Sequence, residues 1–185
     1  MRRLIPKTTA LIVVDIQERL AAAMPKHQLE ELLRGARILT EAARLLGAPV
    51  LATEQYPKGL GPTVPEISAL LEESGAKRFE KLDFSAHDAS GFGRALQETG
   101  VTAAVVVGME THVCVYQTVR DLAARGLEVH VPIDAVASRR DDHRAAGLEL
   151  CKRAGAIATT SETVVFDWLE RAGTDEFRQL SKLIR

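Results

Sequence analysis

The segment Thr102-Ala103-Ala104-Val105-Val106-Val107 leads into Gly108-Met109-Glu110-Thr111-His112-Val113-Cys114, and a helical period then runs to Gly126. An unbroken apolar run of this length, rich in β-branched residues, reads as a strand buried on both faces. Gly108 opens a turn, a helix is expected from about Val113 to Arg125, and Gly126 is placed to end it. Strand, tight turn and helix in this order place Cys114 at a helix start. The positive end of the helix dipole favours thiolate there and can bring a cysteine from about 8.5 to about 7 or below. Position alone therefore makes Cys114 a candidate nucleophile; an inert thiol packed under the sheet is the alternative.

The same alternation extends in both directions. Ala10 to Val14 is a strand ending at Asp15, and a helix covers His27 to Leu46, with Leu29, Leu32, Leu33, Ala36, Leu39 and Ala43 on one face. Gly47 stops it, and the strand Pro49 to Thr53 leads into a Gly/Pro-rich loop, Gln55 to Pro62. Thr63-Val64-Pro65-Glu66 reads as a capping box for a helix reaching Ser74. Arg78 to Lys81 is a short strand, and a helix is expected from Ala89 to Thr99. Strand Glu128 to Ile133, helix Asp141 to Arg153, strand Ala156 to Thr159 and helices Glu162 to Arg171 and Thr174 to Leu183 complete the chain. Continuous apolar strands alternating with helices predict an α/β fold: a doubly wound, mostly parallel six-stranded sheet with helices on both faces, a Rossmann-type three-layer sandwich. With no repeat or linker, residues 1–185 read as one domain.

Composition narrows the function classes. A net charge of −1 offers no basic field for nucleic acid or an anionic membrane. No apolar stretch approaches membrane-spanning length. Two cysteines, Cys114 and Cys151, supply neither a disulfide framework nor metal spacing, so a reduced, cytoplasmic protein is expected.

In open α/β sheets, ligands bind beyond the carboxyl ends of the strands. Asp15, the Thr53-Glu54 pair, Lys81 and the turn from Gly108 to Cys114 all fall there, with Asp134 further out. Singly, Asp15 is an ordinary turn residue and Lys81 an ordinary surface lysine. Together with Cys114 they supply a thiol, a carboxylate to take its proton and an ammonium to hold charge, the parts a thiolate nucleophile requires.

These residues resemble the isochorismatase-like cysteine hydrolases, which include nicotinamidases, N-carbamoylsarcosine amidases and isochorismatases. The resemblance spans nearly the whole chain. It rests on Leu11-Ile-Val-Val-Asp15-Ile-Gln17, on Lys81 with Phe84-Ser85, and on Gly108-Met-Glu-Thr-His-Val-Cys114-Val, in that order. Thr53-Glu-Gln-Tyr-Pro-Lys-Gly-Leu-Gly61 with Thr63-Val-Pro-Glu66 looks most like the isochorismatase domain-containing proteins. The resemblance implies an Asp15–Lys81–Cys114 triad, a cis peptide at Met109–Glu110, an oxyanion hole from the backbone N–H groups of Glu110 and Cys114, and a homo-oligomer. It also implies cleavage of a small amide, carbamoyl or ester substrate through a thioester.

Departures from the family matter too. Where nicotinamidases hold a metal with Asp and His, this chain has Glu54 and Tyr56. A site lacking imidazole is a poor zinc site, so no metal and no cofactor are expected. Gln17 is a candidate to bind substrate or its attacking water, with a backbone-binding turn role as the alternative. Tyr56 and Phe84 are candidate pocket walls, core packing being the alternative for Phe84. His112 reads as a loop histidine and Cys151 as structural. Two other readings remain: vinyl-ether hydrolysis with Asp15 as acid, and a non-catalytic interaction scaffold. An aspartyl-phosphate phosphatase is rejected because Gln17 stands where its second acid belongs.

Overall fold

The computed structural model describes residues 3–184; Met1, Arg2 and Arg185, at the ends of the expected domain, lie outside the described residues. Among the described residues seven strands form one sheet: β1 (Thr9–Val14), β2 (Val50–Gln55), β3 (Lys77–Lys81), β4 (Ala103–Met109), β5 (Glu128–Pro132), β6 (Val136–Ala137) and β7 (Ile157–Thr159). Their order is β3-β2-β1-β4-β5-β7, with β6 pairing onto the end of β4, and every pairing is parallel. The α/β class and the six expected strands hold. The seventh, β6, is two residues long, too short to carry a periodic signal, and extends β4 by pairing with Gly108 and Met109.

The helices are α1 (Glu18–Ala21), α2 (Lys26–Leu46), α3 (Pro57–Leu60), α4 (Pro65–Glu73), α5 (Phe92–Thr99), α6 (Tyr116–Ala124), α7 (Asp141–Arg153), α8 (Ser161–Leu169) and α9 (Asp175–Ile184). Alternate strand residues feed two separate apolar layers, as the two-residue period of a strand requires. Leu11, Val13, Val105 and Val107 join Leu32, Leu39, Ile67, Val164 and Leu180 on one side. Ala10, Ile12, Val14, Ala104 and Val106 join Phe92, Val119, Leu122 and Cys151 on the other. Helices α2, α4, α8 and α9 thus cover one face, and α5, α6 and α7 the other.

Two local expectations change. The capping box before α4 does not form: Val64 is the residue preceding the helix, and the N–H and hydroxyl of Thr63 both donate to Glu54 Oε1, at 2.7 and 2.6 Å. The helix expected from Val113 begins instead with a wide π-type turn, Thr111–Val115, before α6. Such turns recur at functional positions inside helices.

Strand order places the site. The chain winds outward from β1 through β2 to β3, then crosses back to β4 on the other flank of β1. The switch point is the cleft between the carboxyl ends of β1 and β4, where Val14 pairs with Gly108. Here the backbones come unusually close. Gly108 has φ +124°, and a Cβ on it would lie 2.0 Å from the Val14 carbonyl oxygen. Gly108→Ala is therefore expected to lose about 2–4 kcal/mol, from overpacking against backbone and a φ that disfavours side chains. Urea unfolding measures it; a loss below about 0.5 kcal/mol, the range of an ordinary surface substitution, contradicts this reading.

Candidate active site

Asp15 leaves β1 in the left-handed region, at φ +51°. A non-glycine residue there is uncommon, and aspartate is among the few that tolerate it. The turn is closed by Gln17 N–H donating to the Asp15 carbonyl at 2.8 Å, and Asp15 N–H donates to the Thr53 carbonyl at 3.1 Å. The carboxylate is thereby held inside the sheet edge. Thr53 Oγ1 donates to Oδ1 at 2.7 Å, and Lys81 Nζ donates to Oδ2 at 2.6 Å. Both members of this ion pair have fully buried side chains (0% exposed), so each supplies the countercharge that offsets the other's removal from water.

Lys81 ends β3 opposite Gln55 at the end of β2. Its ammonium makes a second bond, to Gln55 Oε1 at 2.6 Å. Cys114 Sγ lies 4.0 Å from the same oxygen. The structure thus brings Asp15, Lys81 and Cys114 together, with the Gln55 carboxamide at their meeting point. Gln55 read in the sequence only as the start of a loop. The signal that could have found it is its place at the end of a strand beside the one carrying Lys81.

The thiol is not the activated one that its place near a helix start suggested. Burial pushes Cys114 up to about 12; the Asp15 carboxylate pushes the same way, and only the Lys81 ammonium opposes them. Cys114 sits four residues into the sequence of the π-type turn and is buried in the apolar layer that contains Val14, Val106 and Val119. Desolvation disfavours charge. The resting sulfur is a neutral thiol facing an ionised pair.

Gln17 has a different role from substrate binding. Its Oε1 accepts Gln55 N–H at 2.8 Å, and its Nε2 donates to the carbonyls of Gln55 (3.0 Å) and Gly61 (2.7 Å). Both amide hydrogens are consumed by backbone and the residue is fully buried, so Gln17 ties the 55–61 loop to the exit of β1. Tyr56 and Phe84 are half exposed, at 52% and 51%, and Leu82 beside them reaches 74%. Phe84 is therefore not core. Tyr56 is held at φ +37° with its ring against Gly59. Tyr56, Pro57, Lys58, Glu80, Lys81 and Leu82 line a cleft of about 330 Å³.

Glu110 and His112 point away from the carboxylate–ammonium pair. Glu110 Oε2 accepts both the N–H and Nε of Arg139, each at 3.0 Å. His112 Nδ1 lies 3.0 Å from Ser138 Oγ, and its ring packs on His143, centroids 4.6 Å apart. Both side chains thus brace the turn against the segment following β6. The peptide Met109–Glu110, which joins β4 to this turn, is cis. Asp134 accepts Ser161 N–H at 2.8 Å at the start of α8, far from chemistry. Glu54 is engaged by Thr63. Among the described residues no group of three or more His, Cys, Asp or Glu side chains is placed to hold a metal.

With the fold and this geometry established, the chain belongs to the isochorismatase family: the Isochorismatase domain matches residues 9–163. An isochorismatase domain-containing protein 1 from Danio rerio is 39% identical over 181 residues, covering 97% of this chain and 62% of that protein. A secreted isochorismatase effector, Isc1, from Phytophthora sojae is 38% identical over 185 residues, covering 99% of this chain and 87% of its own. The solved structure described as MAR1 ribonuclease from Caenorhabditis elegans has a TM-score of 0.91 at 39% identity, covering 99% of this chain and 92% of that one. The family is one of hydrolases, and no helix among the described residues is long and apolar enough to cross a membrane.

The protonated thiols have a consequence for stability. Burial pushes both Cys114 and Cys151 up to about 12, whereas an unfolded thiol ionises near about 8.5. Above about pH 8.5 the unfolded chain releases protons that the folded chain keeps, so the stability from these groups is complete below that pH and falls as pH rises towards about 12. Urea midpoints should decline from about pH 8.5 to about pH 10.5, and Cys151→Ala should reduce the slope by roughly half. A midpoint flat across that window contradicts the buried-thiol assignment.

Proposed function

We propose that the protein is a metal-independent cysteine hydrolase acting on a small amide, carbamoyl or ester substrate. The observation that carries this reading is the buried Lys81–Asp15 pair, which meets the Cys114 thiol around one carboxamide oxygen. As Sγ attacks the carbonyl carbon, its proton passes to Asp15, so charge never rests on an isolated sulfur. The carbonyl oxygen takes up the electron pair and is held by the backbone N–H groups of Glu110 and Cys114. Collapse breaks the bond to nitrogen or oxygen, and Asp15 returns the proton to the leaving amine or alcohol. A water then gives its proton to Asp15 and attacks the thioester; the acid leaves, and Sγ regains the proton.

Lys81 holds Asp15 in place and offsets negative charge as sulfur loses its proton. Tyr56 and Leu82 line the 330 Å³ cleft beside Lys81, which is of the size that holds a small molecule, whereas Phe84, half exposed, is not part of its lining, nor are Asp15 and Cys114. The nematode relative is described as a ribonuclease. In this chain the cleft carries Glu80 and Lys58, while the Lys81 side chain is buried against Asp15; such a lining offers no net basic charge to a polyanion, so the small-molecule reading stands first. The exposed apolar group Tyr56, Leu82 and Phe84 supports a homo-oligomer. A related fold from Escherichia coli is described as an octameric hydrolase of unknown specificity. The two unpaired, buried thiols support a reducing, cytoplasmic setting, although the Phytophthora relative is described as secreted.

One observation favours a second reading. A thiol held near 12 could be a bystander while Asp15 acts as the acid of a vinyl-ether hydrolysis. A screen of small amides, esters and vinyl ethers, with RNA as a further arm, identifies a substrate. Cys114→Ala and Asp15→Asn should then each lower turnover by at least about a thousandfold, the scale of losing a nucleophile or its base, with the folded spectrum retained. A thioester on Cys114 should appear by mass spectrometry during turnover. Retained turnover in Cys114→Ala refutes the thiol mechanism.

A further inference from the structure

We propose that Gln55 is the positioning residue of this site: its carboxamide oxygen clamps the Lys81 ammonium on the Asp15 side and so sets how readily the Cys114 thiol gives up its proton. The argument rests on how completely Gln55 is constrained. Its backbone N–H and carbonyl are both gripped by the buried Gln17 carboxamide, at 2.8 and 3.0 Å. Its Nε2 donates to the Leu82 carbonyl at 2.7 Å. With the nitrogen committed there, Oε1 faces inward, towards Lys81 Nζ at 2.6 Å and Cys114 Sγ at 4.0 Å. The opposite amide orientation would set N–H donors against an ammonium that has only donors to offer.

Lys81 has three N–H bonds to give, and Asp15 Oδ2 and Gln55 Oε1 take two of them. The charged groups that act on the thiol are Asp15, from the end of β1, and Lys81, from the end of β3. They act in opposite directions, so the thiol's proton affinity depends on how near the ammonium stands. Gln55 holds the ammonium, and it also turns the negative end of a carbonyl dipole towards sulfur. Both effects keep the proton on Cys114 until a carbonyl substrate arrives. The ammonium already acts on sulfur by its charge and by a hydrogen bond; loss of the clamp lets it move closer and removes the facing dipole, so thiolate becomes easier to form, while Asp15 loses the fixed partner that orients it. Replacing the carboxamide by a carboxylate of the same shape keeps the clamp but adds a negative charge 4.0 Å from sulfur, and thiolate becomes harder to form.

This inference rests on the thiol reading of the site, and its test avoids turnover. The alkylation rate of Cys114 by iodoacetamide, followed by mass spectrometry of the Cys114 peptide from about pH 6 to about pH 10, reports the thiolate fraction directly. Gln55→Leu should alkylate about tenfold faster than the parent at a given pH, and Gln55→Glu about tenfold slower, each a displacement of one pH unit. A merely structural role would move both variants the same way. Thermal unfolding checks the fold, and Gln55→Met substitutes for Gln55→Leu if that variant does not fold. Rates within twofold of the parent in both variants, or shifts in the same direction, overturn the positioning role. That result leaves the thiol mechanism to its own test, turnover by Cys114→Ala.

Discussion

The interaction on which the rest depends is the ion pair between Lys81 and Asp15. Two opposite charges removed from water cost several kcal/mol each, and they persist only where geometry and further hydrogen bonds compensate. Here the compensation is specific. Thr53 donates to one carboxylate oxygen, Lys81 to the other, and Gln55 accepts from the ammonium. Those partners come from the ends of β1, β2 and β3, so the pair also fixes how three neighbouring strands finish. The left-handed turn at Asp15 and the Gln17 clamp on the 55–61 loop are what that arrangement demands of the backbone.

Burial acts first on the thiol, and this pair acts next, its two members in opposite directions. A dipole contributes up to about 2 kcal/mol at a partly buried helix end. Burial in an apolar layer beside a carboxylate works the other way. The same arrangement shields the sulfur from adventitious oxidation, since oxidation follows thiolate character and exposure.

Much of this was legible in the chain. The apolar runs at Ala10–Val14 and Thr102–Val107 announce central parallel strands because a strand covered on both faces has no polar side to show. Asp15, Lys81 and Cys114 stand out because each is a reactive group at a strand end. The rest depended on contacts that no local pattern encodes. Gln55 is one polar residue in a polar loop until β3 places Lys81 against it. Gln17 has the chemistry to bind substrate, and only the spatial return of the 55–61 loop shows its amide fully used. The capping box at Thr63 failed because Glu54, distant in the strand before, offered a charged acceptor to the same donors. For Cys114, position in the sequence reveals a helix start, whereas the burial that pushes the thiol up depends on packing from distant strands.

The strand order has one more meaning. The groups that converge at the cleft arrive from strands whose ends are separated along the chain by the whole of α2, α4 and α5. The carboxylate, the ammonium and the Gln55 carboxamide all belong to the β1–β3 half of the sheet, and only the thiol is brought from the β4 side. Cys114, which follows β4, stands beside groups carried by β1, β2 and β3 because β4 pairs with β1.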